Sequence, residues 1–144
     1  MKTSDFLQQL DDDAIATAIG AAERTTSGEI RVWVSQQTPE DVVARATWRF
    51  SQLGMQKTRD RNAVLIYFAP KAQKFAVIGD QAIHEKCGQP FWEEVAAEIR
   101  AQLRDAKFTQ AVVGAVTKVG AVLARHFPSR EDGVNELPDR VQRD

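Results

Sequence analysis

A chain of 144 residues with 43% hydrophobic residues is long enough to bury one core and too short for several domains. Nineteen basic residues against twenty acidic ones, scattered along the chain, leave a formal net charge of -1, so the positive field that a nucleic-acid partner needs is missing. Cys87 is the single cysteine, which excludes an internal disulfide and a thiolate metal cage and suits a reducing compartment.

The first residues, Met1-Lys2-Thr3-Ser4-Asp5-Phe6, lack the apolar run of a secretory signal, so export is not expected and a cytoplasmic location is. The longest apolar stretches are residues 63–69 and 111–124, and the second carries Thr117 and Lys118 in its middle. Neither suffices to cross a bilayer, and no membrane insertion is expected.

In chain order, Phe6, Leu10, Ile15, Ile19 and Ala22 recur at helical spacing. Asp11, Asp12 and Asp13 read as N-terminal caps of a helix running to about Arg24, because carboxylates accept from free N–H groups and suit the positive dipole end. They follow no strand and lack phosphatase-loop spacing, which argues against a nucleophile or metal motif. Gly28 is expected to end this helix and turn the chain. Residues 29–35 (EIRVWVS) alternate polar and apolar, the pattern of a half-covered strand.

Thr38-Pro39-Glu40-Asp41 presents an N-cap, a proline at the first helical position and an acid at the third, so a helix is expected to start there. Its core stripe reads Val42, Val43, Ala46, Phe50 and Leu53, with Gly54 just beyond its end. Trp48 lies about 200 degrees from Ala46 and points away from that stripe, unless a later helix covers it. Residues 55–61 read as a polar loop.

The continuously apolar residues 63–69 suit a central strand buried on both faces. Residues 70–73 turn the chain, and residues 74–78 return as an antiparallel neighbour. Asp80 caps a short helix over 81–86. A longer helix starts near Pro90 with Trp92, Val95, Ile99 and Leu103 inward. Phe108, Val112, Val116, Val119 and Leu123 continue to about His126, where Phe127-Pro128 stops the helix. Residues 1–127 are thus expected to form the domain and 128–144 a polar tail.

Strand, helix and strand make a parallel βαβ unit, and the third strand runs back. Glu29 at the start of strand one, Asp60 before strand two and Asp80 after strand three therefore meet at one end of one sheet. Crowded carboxylates repel unless a proton or cation intervenes, which makes Glu29, Asp60 and Asp80 candidate ligands for Ca2+ or Mg2+. Lys57, Arg59 and Arg61 lie in the loop over the same end and could neutralise the acids or hold an anion. The competing reading is structural: Glu29 paired with an arginine, Asp60 in an Asx-turn, and Asp80 as a cap.

Glu23-x2-Thr26-Ser27-Gly28-Glu29-Ile30-x-Val32, Gly54-x2-Lys57-Thr58-Arg59-Asp60-Arg61-Asn62-x-Val64-Leu65-Ile66, Ile78-Gly79-Asp80, Phe91-Trp92 and Phe108 together resemble the TPM domain family over roughly residues 4–127. The resemblance implies an α/β fold, a three-layer α/β/α sandwich around a small mixed β-sheet. It also implies weak acid phosphatase activity in some members, roles in photosystem repair or receptor modulation in others, and calcium binding at acidic loop positions matched here by Asp60 and Asp80. Many members are exported and membrane-anchored, and this chain is expected to depart from them, since neither a signal nor an anchor is read in it. Its Asn135-Glu136-Leu137-Pro138-Asp139 resembles a soluble bacterial subgroup.

Two functions follow. The first is a binding module that engages a protein partner through Trp48 or Leu137, since outward aromatics often anchor interfaces, with a candidate divalent-cation site at the acidic sheet end. The alternative is a weak metal-assisted acid phosphatase taking a small phosphorylated ligand, with Asp60 and Asp80 on one cation, Glu29 orienting water and Arg59 or Arg61 on the phosphate. The phosphatase signatures are missing: Cys87 is followed six residues later by Glu93 where a Cys-x5-Arg loop needs arginine, and His84 and His126 are isolated. His126 reads as a helix C-terminal partner of the dipole. No organic cofactor is expected.

Overall fold

A computed structural model describes residues 9–129 and 141–144. Helix α1 (Asp12–Glu23) begins where expected of a capped segment: the Asp11 side chain accepts from the Ala14 N–H at 3.0 Å, with Asp12 and Asp13 in the first turn. Strands β1 (Glu29–Val34), β2 (Ala63–Ala69) and β3 (Lys74–Gly79) form a mixed sheet with β4 (Gln142–Arg143), in the order β3-β2-β1-β4. β1 runs parallel to β2, and β2 antiparallel to β3, as the βαβ unit and the hairpin require.

The alternation in β1 suggested one solvent face, but all six of its residues are buried. Ile30, Val32 and Val34 face the larger helical layer, and Trp33 packs with the opposite one. Ala46 and Phe50, from the helix that follows β1, pack with Trp33 on its polar-looking face, so that face is covered by protein rather than water. The polar residues Glu29 and Arg31 are buried with it.

Helix α2 (Val42–Gln52) connects β1 to β2 and starts later than the proline suggests. Asp41, not Thr38, is the N-cap, and its carboxylate accepts from the Ala44 N–H at 3.0 Å. Ala46 and Phe50 are buried as expected, whereas Val43 is 57% exposed and leaves the core stripe. Gly54 follows the helix in the left-handed region (φ 71°), a backbone that a residue with a Cβ adopts only at a cost. Met55 belongs to no polar loop: it is fully buried at the start of a short 3-10 turn and joins Phe50 and Leu65 in the core.

The layers follow from these faces. Val64, Ile66 and Phe68 join Ile30, Val32 and Val34 against α1, α4 (Gln89–Arg104) and α5 (Phe108–His126), while Ala63, Leu65 and Tyr67 join Trp33 against α2. The short α3 (Gln81–Cys87) inserts Ile83 at the corner. The fold is a three-layer α/β/α sandwich with, among the described residues, three long helices on one face and one on the other.

Two glycines are set by close approach rather than by turning. Helix α1 ends at Glu23, so Gly28 does not terminate it. A Cβ on Gly28 would instead lie 2.9 Å from Leu123, and one on Gly79 would lie 2.7 Å from the Trp92 ring. The far end of the chain also returns to the sheet. Residues 142 and 143 pair parallel with Trp33 and Val34.

Candidate functional site

The three acids do sit at one end of the sheet. Glu29 lies opposite Ala63 in the β1–β2 register, and the Asp80 N–H donates to the Ala63 carbonyl at 2.9 Å. Their environments differ. Asp80 is buried and accepts a bidentate pair from Arg61, Nε to Oδ2 at 2.8 Å and Nη2 to Oδ1 at 2.9 Å. Its Oδ1 also takes the Gln81 N–H at 2.7 Å and caps α3. Both carboxylate oxygens are therefore engaged by donors, and the hydrogen bond and charge of Asp80 hold the Arg61 guanidinium pKa above its ordinary value.

Arg61 holds this position on a left-handed backbone (φ 52°), unfavourable for a residue with a Cβ. Its N–H reaches the Thr58 carbonyl at 3.3 Å and its carbonyl takes the Ala82 N–H at 3.2 Å. Arg61 was one of three cations expected over this end, and it is the one that neutralises Asp80. Lys57 and Arg59 are exposed, and among the described residues Arg59 makes a long contact with Asp60, Nε to Oδ1 at 3.8 Å.

Asp60 is half-exposed and accepts from the Ser27 hydroxyl at 3.4 Å, while Ser27 Oγ accepts from Asn62 Nδ2 at 3.1 Å. Glu29 is 2% exposed. Its neighbours in the sequence motif act as fasteners. Glu23 accepts from the Ile30 N–H at 2.8 Å, Thr26 donates its hydroxyl to the Phe127 carbonyl, and the Ser27 N–H reaches the same carbonyl at 2.9 Å. This stretch ties the end of α5 to the start of the sheet.

The donor set does not fit a hard divalent ion as it is arranged. Calcium takes six to eight oxygens and magnesium a near-ideal octahedron, yet Asp80 is occupied by a guanidinium and Glu29 is buried in the sheet. Among the described residues no three His, Cys, Asp or Glu side chains gather as ligands for one ion. Cys87 offers no activated thiolate, since burial pushes its thiol pKa up. His84 packs at a tilt against Trp92 with centroids 5.3 Å apart, and His126 lies in the last turn of α5.

Trp48 points outward as expected and is 41% exposed. Later helices do not cover it. The Arg45 guanidinium sits 4.2 Å from its ring centroid and that of Arg49 4.7 Å, while Arg49 also lies 4.1 Å from the Trp33 ring, so the indole is stiffened by cation–π contacts. Leu137 lies outside the described residues.

Two features escaped the sequence reading. At the carboxyl end of β1 the Asp144 side chain accepts from Trp33 Nε1 at 2.6 Å, the Ser35 hydroxyl at 2.6 Å and the Gln36 N–H at 2.7 Å, with Arg49 at 3.7 Å. Burial opposes its charge, but the bonds from Ser35, Trp33 and Gln36 and the Arg49 charge win and lower its pKa. No local pattern announces this partner, more than a hundred residues away. The second feature is a groove of about 630 Å³ along β3, floored by residues 75–79 and walled by Val43 and Thr47 of α2 and by Trp92, Glu93, Ala96 and Arg100 of α4, with His84 at one end. Val43 was its only hint, and it had been assigned to the core.

A three-layer α/β/α domain with a stitched acidic sheet end and an open groove along its edge strand is the class these observations define. The TPM domain family matches residues 1–122, and the chain belongs to that family. Among solved structures it is similar to the BA42 protein from the psychrophilic bacterium Bizionia argentinensis, determined by NMR. The two share 36% identity over 92% of each chain, with a TM-score of 0.85. No curated protein matches the chain.

Proposed function

We propose that this TPM domain is a binding module whose ligand site is the groove along β3. The observation that carries the reading is the groove itself: an open cavity of about 630 Å³, in the size range of ligand sites, with an apolar floor and a few polar groups on its walls. At the acidic end, by contrast, the carboxylate best placed for chemistry is already neutralised by Arg61.

The test is selection of linear peptides on the immobilised full chain. Ala96→Arg, which fills the groove, is expected to abolish enrichment, whereas Asp60→Asn leaves it unchanged. Enrichment indifferent to Ala96→Arg overturns the reading.

The second reading, a cation-assisted phosphatase at Asp60 and Asp80, is favoured by the exposed cations Lys57 and Arg59 beside those acids. It requires an ion to displace Arg61 from Asp80. Calorimetric titration of calcium, then magnesium, into metal-stripped protein is expected to give no saturable heat. Saturable binding weakened by both Asp60→Asn and Asp80→Asn, with phosphomonoester turnover lost in the same variants, would establish it instead.

A further inference from the structure

Among the described residues β3 is one of the two edge strands of the sheet, and the direction of its backbone groups follows from its pairing. Residues opposite each other in an antiparallel ladder alternate between pairs that exchange hydrogen bonds and pairs that do not. The Asp80 N–H bonds the Ala63 carbonyl, and the register Val64↔Gly79, Leu65↔Ile78, Ile66↔Val77, Tyr67↔Ala76 extends the alternation. Ile78 and Ala76 therefore turn their N–H and C=O groups toward β2, while Phe75, Val77 and Gly79 turn theirs outward.

That outward row is the floor of the groove. Free strand edges are usually blunted by proline, charge or a covering element. Here no proline lies within the strand, and its one charged residue, Lys74, is at the beginning, with its ammonium on the Pro39 and Glu40 carbonyls at 3.4 and 2.9 Å. The five residues beyond it form the groove floor, with helices on both sides.

The geometry points to the groove as a site of strand addition, in which an extended peptide pairs with the outward groups of Phe75, Val77 and Gly79. This rests on the binding-module reading and names its ligand class. The walls give the peptide a polarity. Glu93 lies on α4 near the His84 end, and Arg100, over the Phe75 ring at 5.9 Å, marks the other. Seven helical residues separate the two by about 10 Å, and same-face residues of a strand recur about every 7 Å. The complementary peptide is uncharged along its length except for an acidic side chain at Arg100 and a basic one toward Glu93. A smaller hollow lined by Lys74, Arg100 and Arg104 continues the groove beyond Phe75 and extends its basic end. Walls on both faces of the edge admit a single strand, while a second copy would bring its own helical layers against α2 and α4.

The test uses full-length 15N-labelled protein and blocked nonapeptides of alternating threonine and valine. Each carries one glutamate and one lysine two or four positions apart, spacings of about 7 and 14 Å that bracket the distance between the wall charges, in either order. The free protein is expected to exchange the Phe75, Val77 and Gly79 amides fast and the Ala76 and Ile78 amides slowly, and peptide is expected to protect the first three. N-methylating the peptide amides that face β3 weakens binding about tenfold for each hydrogen-bonded pair lost, and Arg100→Glu reverses the preferred charge order.

Peptide shifts at Val43, Ala96 and the Trp92 indole without protection of the three amides would leave the groove a binding site and overturn strand pairing. Because ladder bonds do not depend on side chains, no shift with any peptide overturns strand addition. Peptide enrichment that Ala96→Arg abolishes would still uphold the groove as a site in that case. Protection that rises with protein concentration alone, with a dimer in sedimentation, assigns the edge to a second copy and overturns it too.

Discussion

The two edges of the sheet are finished in opposite ways. Beside β1 the chain supplies its own cover, where β4 pairs with Trp33 and Val34 and Asp144 takes hydrogen bonds from Trp33, Ser35 and Gln36. Beside β3 nothing among the described residues pairs, and the edge lies at the bottom of a groove. A closed edge settles stability, and an open one recessed between helices leaves hydrogen-bonding capacity for a ligand while hindering sheet-to-sheet association.

Proline placed at adjacent positions of β3 breaks the comparison most sharply. Ala76→Pro removes an inward N–H and its bond to Tyr67 and is expected to cost about 3 kcal/mol. Val77→Pro, which removes an outward N–H, is expected to cost no more than about 1 kcal/mol. Equal losses in urea denaturation would mean that the strand's polarity is misassigned.

At the closed edge, Asp144→Ala leaves a buried indole N–H and the Ser35 hydroxyl without their acceptor, for a loss of about 2 kcal/mol in thermal unfolding. The same contact predicts an acid response. Because the folded pKa of Asp144 is depressed, its contribution is fully present above the ordinary aspartate value of about 3.9 and is lost as pH falls through the lower folded value. The Trp33 indole resonance should shift in that window and not between pH 5 and 8. An indole that titrates near neutrality would remove Asp144 as its partner.

Gly79→Ala brings a methyl to 2.7 Å from the Trp92 ring. The ring must move toward the groove, with a cost of about 1–3 kcal/mol and an altered His84 environment. Unchanged stability would show that Trp92 has room to move. The smallest effect belongs to the acidic end. Asp80→Ala removes a cap of α3 and is expected to cost about 1 kcal/mol by chemical denaturation, whereas Asp60→Asn, at a half-exposed side chain that keeps its shape and its hydrogen-bonding capacity toward Ser27, is expected to cost less. A larger loss at Asp60 than at Asp80 would reopen that end as a working site.

Legibility in the sequence tracked the range of the interactions. Asp11 and Asp80 were read as caps because a cap bonds within three residues of itself, and the buried β2 was read from its unbroken apolar run. Asp41 was misplaced in favour of Thr38 because both satisfy the local rule and only packing chooses between them. Val43 looked like core because helical spacing gives a face but not its width. The gathering of Glu29, Asp60 and Asp80 at one end followed from strand order, but their chemistry did not, since it hangs on Arg61 reaching Asp80 across nineteen positions.

By itself the sequence determined the long helices, the strands β1 to β3 with their directions, and the family, because periodicity, capping and turn chemistry act over a few residues. The tertiary structure alone decided that β1 is buried on both faces, that Asp144 closes one edge and that β3 is left open in a groove. Those outcomes depend on which surfaces meet after the chain has folded, and a pattern of two or 3.6 residues carries no record of that.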